Sequence, residues 1–63
     1  MKVVVYSKTP LTTREKQNVR DILRRSSRPD ESLARTFPRY DSIEDGRIFF
    51  DDEKRHVRTE IEY

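Results

Sequence analysis

Residues 40–50 read Tyr40-Asp41-Ser42-Ile43-Glu44-Asp45-Gly46-Arg47-Ile48-Phe49-Phe50, and their pattern decides the architecture. An Asp-Gly pair between two runs with strand-forming residues is a strong short-range hairpin signal, because a type I′ turn needs positive φ at both central positions. Gly46 is the only glycine in the chain, so its placement at this point is informative. The segment therefore predicts a strand over Tyr40–Glu44, a tight turn at Asp45-Gly46 and a returning strand over Arg47–Phe50. Ile48, Phe49 and Phe50 are consecutive, and neighbouring residues of a strand point to opposite faces. One apolar face is thus left looking for cover.

Downstream, Asp51-Asp52-Glu53-Lys54 is too polar to be buried and reads as a second turn. From Arg55 to Tyr63, Val57, Thr59, Ile61 and Tyr63 alternate with His56, Arg58, Glu60 and Glu62. A period of two is the signature of a half-buried strand, so the C-terminal third reads as a meander. Upstream, Lys2 to Lys8 is a strand, with β-branched Val3, Val4 and Val5 continued by Tyr6. Its apolar run is continuous, so either both faces are covered or one meets a partner. Pro10 lacks the ladder donor and ends it. The need for burial sets this strand beside the Arg55–Tyr63 strand.

Between these strands lies helix. Thr12 and Glu15 have the spacing of a capping box, with Leu11 before them as a staple residue, and the helix should run from Thr13 to Ser26. Val19, Ile22 and Leu23 form its apolar stripe, while Asp21 and Arg25 have the favourable i, i+4 order. Three apolar residues do not hold a helix of this length alone, so it must lie on a sheet. Ser26-Ser27-Arg28-Pro29 breaks it, and Pro29 suits the first position of a new helix. A short helix over Pro29–Arg35, presenting Leu33, Ala34 and Phe37 inward, follows. The fold class is α+β: a single domain over residues 1–63, ordered β-α-(short α)-β-β-β, with one mainly antiparallel sheet packed on one main helix.

Composition excludes several chemistries. The 63 residues are 32% hydrophobic and 41% charged, with no Cys and a single His. A chain this short buries only about 60% of its unfolded surface, and its core supplies roughly 3–5 kcal/mol. Disulfides, iron–sulfur ligation and a thiol nucleophile are out, as are the common structural zinc sets. No apolar run approaches the roughly 20 residues that span a bilayer, and the opening Met-Lys-Val-Val-Val-Tyr is too short for a signal peptide. The expectation is a soluble cytoplasmic chain. His56 falls on the polar face of the last strand, without the partner and pocket a general base needs. Asp51, Asp52 and Glu53 are consecutive acids at a turn, whereas a hard cation wants oxygens converging from spaced positions. One glycine does not build a phosphate loop. No enzymatic activity, cofactor or metal is expected.

Two local resemblances arise. Val3-Val4-Val5-Tyr6-Ser7-Lys8 before a helix resembles the opening of a glutaredoxin. That family's Cys-x-x-Cys is missing here, so no redox activity carries over. Leu11-Thr12-Thr13-Arg14-Glu15 is similar to the start of LuxR-type helix-turn-helix domains, with Asp30-Glu31-Ser32-Leu33-Ala34 in the place of their second helix. Their groove-reading third helix would fall on Phe37–Phe50, where the pattern is strand and turn.

The charge is dipolar. Residues 14–39 hold eight bases against four acids, and residues 40–53 hold one base against six acids. Arginines outnumber lysines ten to four, and a guanidinium is the better fork for carboxylate or phosphate. The candidate partner-binding residues are Arg20, Arg24, Arg25 and Arg28 of the main helix and its end, with Arg35, Arg39 and Phe49. The first expectation is a small non-enzymatic interaction protein that inhibits or modulates a larger macromolecule by docking. Its partner would be a host protein or ribonucleoprotein complex. Tiny charged chains without a catalytic site are often encoded by phages or mobile elements, which would put this one in the host cytoplasm. The alternative is a nucleic-acid-binding regulator using the arginine helix. The thin core also leads us to expect a homodimer or a partner-stabilised fold, and no membrane association.

Overall fold

The computed structural model describes residues 1–51 and 57–63. His56, most of the turn expected at Asp51–Lys54 and the first residues of the expected Arg55–Tyr63 strand lie outside the described residues. The elements are β1 (Lys2–Ser7), α1 (Thr13–Arg25), α2 (Pro29–Thr36), β2 (Tyr40–Glu44), β3 (Arg47–Phe50) and β4 (Val57–Glu62). This is the α+β order read from the sequence.

The sheet order is β2-β3-β1-β4. β1 pairs antiparallel with β4, from Lys2 opposite Glu62 to Ser7 opposite Val57. It pairs parallel with β3, with Val5 opposite Ile48. β2 and β3 form the expected hairpin, closed by Asp45 at φ 50° and Gly46 at φ 73°. The C-terminal third is therefore not a continuous meander, because β1 is inserted between β3 and β4. The Val3–Tyr6 run explains this. The most apolar strand takes a central position with ladder partners on both sides, and the more polar β2 and β4 take the edges.

Helix α1 starts as the spacing predicts. The Glu15 amide donates to Thr12 Oγ1 at 3.1 Å, and the Thr12 amide donates to Glu15 Oε1 at 2.9 Å. Its C-cap Ser26 donates its amide to the Ile22 carbonyl at 2.8 Å. α2 opens on Pro29, and the Arg28 amide before it donates to Ser26 Oγ at 3.1 Å. Both helices contribute to a single core of Val3, Val5, Leu11, Val19, Leu33, Phe37, Ile48, Phe50 and Ile61, edged by Ile22, Leu23, Tyr40, Ile43 and Tyr63. Leu33 and Phe37 point inward as expected, but Ala34 is exposed. Leu33 and Phe37 share one helical face at i, i+4, and Ala34 lies about 100° around the helix from that line. The Phe37 and Phe50 rings meet at 5.3 Å. The buried Ser7 hydroxyl at the end of β1 is satisfied by donating to the Thr9 carbonyl at 2.7 Å.

The helices cover only the Val3–Val5–Ser7 face of β1. The opposite face carries Lys2, Val4 and Tyr6 on β1, Arg47 and Phe49 on β3, and Arg58, Glu60 and Glu62 on β4.

Candidate functional site

The seven sequence-selected residues fall into four environments. Arg24, Arg25 and Arg35 are exposed at the far end of α1 and on α2, and none forms an ion pair among the described residues. The i, i+4 pair expected between Asp21 and Arg25 is not formed. Both instead line a cleft of about 380 Å³ between the helices, with Ile22, Ser26, Ser32, Arg35 and Thr36. Ser26 Oγ and Ser32 Oγ share a hydrogen bond of 2.8 Å in this cleft, which fixes α2 against the end of α1. Arg28 stands nearby in sequence, in a 3.6 Å ion pair with Glu31. Both its members are largely exposed, and such a pair holds little energy, about 0–1 kcal/mol.

Arg20 points elsewhere. It lies on the same helix, but its Nε donates to the Glu62 backbone carbonyl at 3.0 Å, tying α1 to the end of β4. This is a structural engagement that helical spacing alone does not reveal.

Arg39 is the most engaged side chain of the seven. Its Nε donates to Asp51 Oδ1 at 2.9 Å and its Nη2 to Asp51 Oδ2 at 2.7 Å. Nη1 reaches both Glu15 carboxylate oxygens, at 3.1 and 3.2 Å. Nη2 also donates to the Thr9 carbonyl and Oγ1. The guanidinium lies 5.8 Å over the Phe50 ring. Asp51 is held in the left-handed region at φ 64°, and its amide donates to the Arg39 carbonyl at 2.6 Å. The fork thus ties the β1–α1 loop, the capping box of α1 and the end of β3 to one point. The hydrogen bond from Arg39 holds the Asp51 carboxyl below the usual carboxylate range, helped by the Lys8 amide and opposed by partial burial. The same bond, with smaller help from Glu15, pushes the Arg39 guanidinium above its already high range. Arg39 faces inward, away from the cleft arginines.

Phe49 sits on the uncovered sheet face. Its ring stacks on Tyr6 at 5.5 Å between centroids, with 16° between planes. Val4, Tyr6 and Phe49, all half-buried, make a narrow apolar stripe across β1 and β3. Charge surrounds the stripe: Glu60 pairs with Arg58 at 2.6 Å and with Lys2 at 3.6 Å. Tyr6 was not selected from sequence. Its role depends on β1 and β3 being parallel neighbours, which no local motif announces.

Tyr40 belongs to the core edge. Burial pushes its phenol well above the usual tyrosine range, and a hydrogen bond from its hydroxyl to Asp30 adds to the effect. Among the described residues, no three His, Asp or Glu side chains converge as metal ligands would. Among the same residues, no helix is long and apolar enough to cross a membrane. No family model matches this chain, and no curated protein and no solved structure is significantly similar to it.

Proposed function

We propose that this chain is a non-enzymatic interaction protein that docks a larger macromolecule through the arginine-bearing end of its helix pair, and by occupying that partner inhibits or modulates it. The observation that carries the reading is the grouping of Arg24, Arg25 and Arg35, three exposed guanidinium groups with no carboxylate of their own among the described residues. Arg25 and Arg35 stand beside a cleft that also presents Ile22. Such a surface suits an acidic protein segment carrying one apolar side chain. The apolar group would enter the cleft, and the carboxylates would meet arginine forks that need not first break an internal pair. Desolvated arginine contacts of this kind are frequent hot spots, worth roughly 2 kcal/mol or more at an interface. Charge complementarity would set the rate and specificity of the encounter. A phage or mobile-element origin, with a host protein or ribonucleoprotein complex as partner, remains our reading of the chain's size and charge.

A second reading is favoured by a separate observation. The stacked Tyr6 and Phe49 rings on the open sheet face are a platform on which single-stranded bases stack. Glu44, Glu60 and Glu62 share that face, and Lys2 and Arg58 are already paired with Glu60. Protein docking is therefore placed first.

The test titrates the ¹⁵N-labelled chain with two probes at two salt concentrations: a Leu-containing peptide rich in Glu and Asp, and an oligothymidine strand. The docking reading expects the peptide to shift Ile22, Arg25, Ser32, Arg35 and Thr36. It also expects Arg24→Glu/Arg25→Glu/Arg35→Glu to weaken that binding about tenfold or more while leaving the fold intact. Oligothymidine binding centred on Tyr6 and Phe49, falling steeply with salt, would instead support the nucleic-acid reading.

A further inference from the structure

We propose that two copies of this chain join through the outer edges of β4, running antiparallel about Thr59, to make one continuous eight-stranded sheet. The direction of the backbone groups comes first. Met1 and Tyr63 exchange hydrogen bonds of 2.8 Å in both directions. Antiparallel ladders alternate, so the next pairs to exchange bonds are Val3 with Ile61, Val5 with Thr59 and Ser7 with Val57. The N–H and C=O groups of Arg58, Glu60 and Glu62 therefore point away from β1, toward the outer edge. Among the described residues β4 is the last strand of the sheet, and its pairing with β1 runs without a bulge through all six residue pairs. An unbulged edge is a template for another strand.

Charge then selects the partner and the register. Pairing two β4 strands about Thr59 sets Arg58 opposite Glu60 of the second copy, twice by symmetry, and Val57 opposite Ile61. All four ladder hydrogen bonds at Arg58 and Glu60 are made, and opposite charges face each other on the open sheet face, a stabilising cross-strand arrangement. Moving the register by two residues in one direction puts Glu60 against Glu60. It also calls on the Glu62 carbonyl, which Arg20 already occupies at 3.0 Å. Moving it the other way puts Arg58 against Arg58. The other edge of the sheet is unsuited to self-pairing. β2 has an irregularity between Tyr40 and Ser42, and its charged residues, Asp41 and Glu44, are both acidic.

Sedimentation velocity over a concentration series tests the proposal, with far-ultraviolet circular dichroism to show that each variant is folded. The wild-type chain should dimerise reversibly. Arg58→Glu and Glu60→Arg each place like charges across the junction and should raise the dimer Kd about tenfold or more. Mixed in equal amounts, these two variants should form a heterodimer close to wild-type affinity. The first then presents acids at both junction positions and the second presents bases at both, so every cross-strand pair again joins opposite charges. Glu60→Pro removes an outward N–H while leaving the β1 ladder intact, and should abolish the dimer. A wild-type chain that stays monomeric to about millimolar concentration overturns the proposal. So does a dimer that survives Glu60→Pro, or a mixture of the two charge variants that fails to associate.

Discussion

Replacing Arg39 with Ala should cost this protein most of its stability. Six hydrogen bonds leave with the guanidinium, to Asp51, Glu15 and Thr9. The three charged side chains are 26%, 22% and 17% exposed, for Arg39, Glu15 and Asp51 respectively. Fully exposed pairs contribute about 0–1 kcal/mol, whereas removing one member of a buried pair costs about 3–5 kcal/mol. At roughly one-fifth exposure the loss should be about 2–3 kcal/mol, since Asp51 keeps the Lys8 amide and Glu15 keeps the Thr12 amide. In a domain of this size each kcal/mol moves Tm by about 4–8 °C, so the expected fall is about 10–20 °C. Arg39→Lys keeps the charge but loses the planar fork, and should lose about half as much. Thermal denaturation by circular dichroism at neutral pH measures both. A cycle with Asp51→Asn, which tolerates the left-handed backbone at this position, should show coupling of about 1 kcal/mol or more. The pH dependence has a definite sign. The Asp51 carboxyl is held low in the folded state by Arg39, so its contribution is present above the ordinary carboxyl pKa and is lost as pH falls through the folded value. The acid limb of the stability curve should therefore flatten in Arg39→Ala. A Tm loss below about 4 °C, or an unchanged acid limb, would refute the clamp.

Gly46→Val should cost about 1–2 kcal/mol and Gly46→Asn less than about 0.5, because φ is 73° and a Cβ would meet nothing within 4 Å, leaving backbone strain as the only penalty; chemical denaturation of the two variants gives the comparison. Tyr40 is raised by burial and by Asp30, so its neutral form stabilises the fold below the ordinary phenol pKa and stability is lost as pH rises toward the folded value. Tyr40→Phe should flatten that alkaline decline, read as Tm between about pH 9 and 11. Thr12→Ala should cost about 1 kcal/mol by removing the cap at the Glu15 amide, measured as a shift in denaturation midpoint at unchanged slope.

The local devices of this fold were legible in the chain. Thr12 and Glu15 announced the start of α1, Pro29 the start of α2, and Asp45-Gly46 the hairpin, because each is a contact between residues close in sequence. The position of β1 was legible only in part. Its pairing with β4 followed from burial, but its parallel pairing with β3 did not, since nothing in Val3–Tyr6 distinguishes one neighbour from two. The Tyr6–Phe49 stack was hidden for the same reason. Among the arginines, charge and helical spacing selected Arg20, Arg24, Arg25 and Arg28 on the main helix and its end, with Arg35 and Arg39 beside them. They could not reveal that Arg20 reaches the β4 carbonyl or that Arg39 turns inward, because both partners are remote in sequence.

The central place of β1 also dictates an order of events in folding. Val5 must find Ile48 on one side and Thr59 on the other, partners about forty to fifty positions along the chain, and closing loops of that length costs entropy before any ladder bond is gained. The capped α1 and the Asp45-Gly46 hairpin involve only near neighbours and form without waiting for those closures. Folding should thus run through a state in which helix and hairpin fluctuate into place while the N-terminal strand is still unpaired. The threading of β1 between β3 and β4 should be the rate-limiting step. Mutations at Val5 should slow folding, and mutations at Ser32, whose hydroxyl fixes α2 against the end of α1, should chiefly speed unfolding.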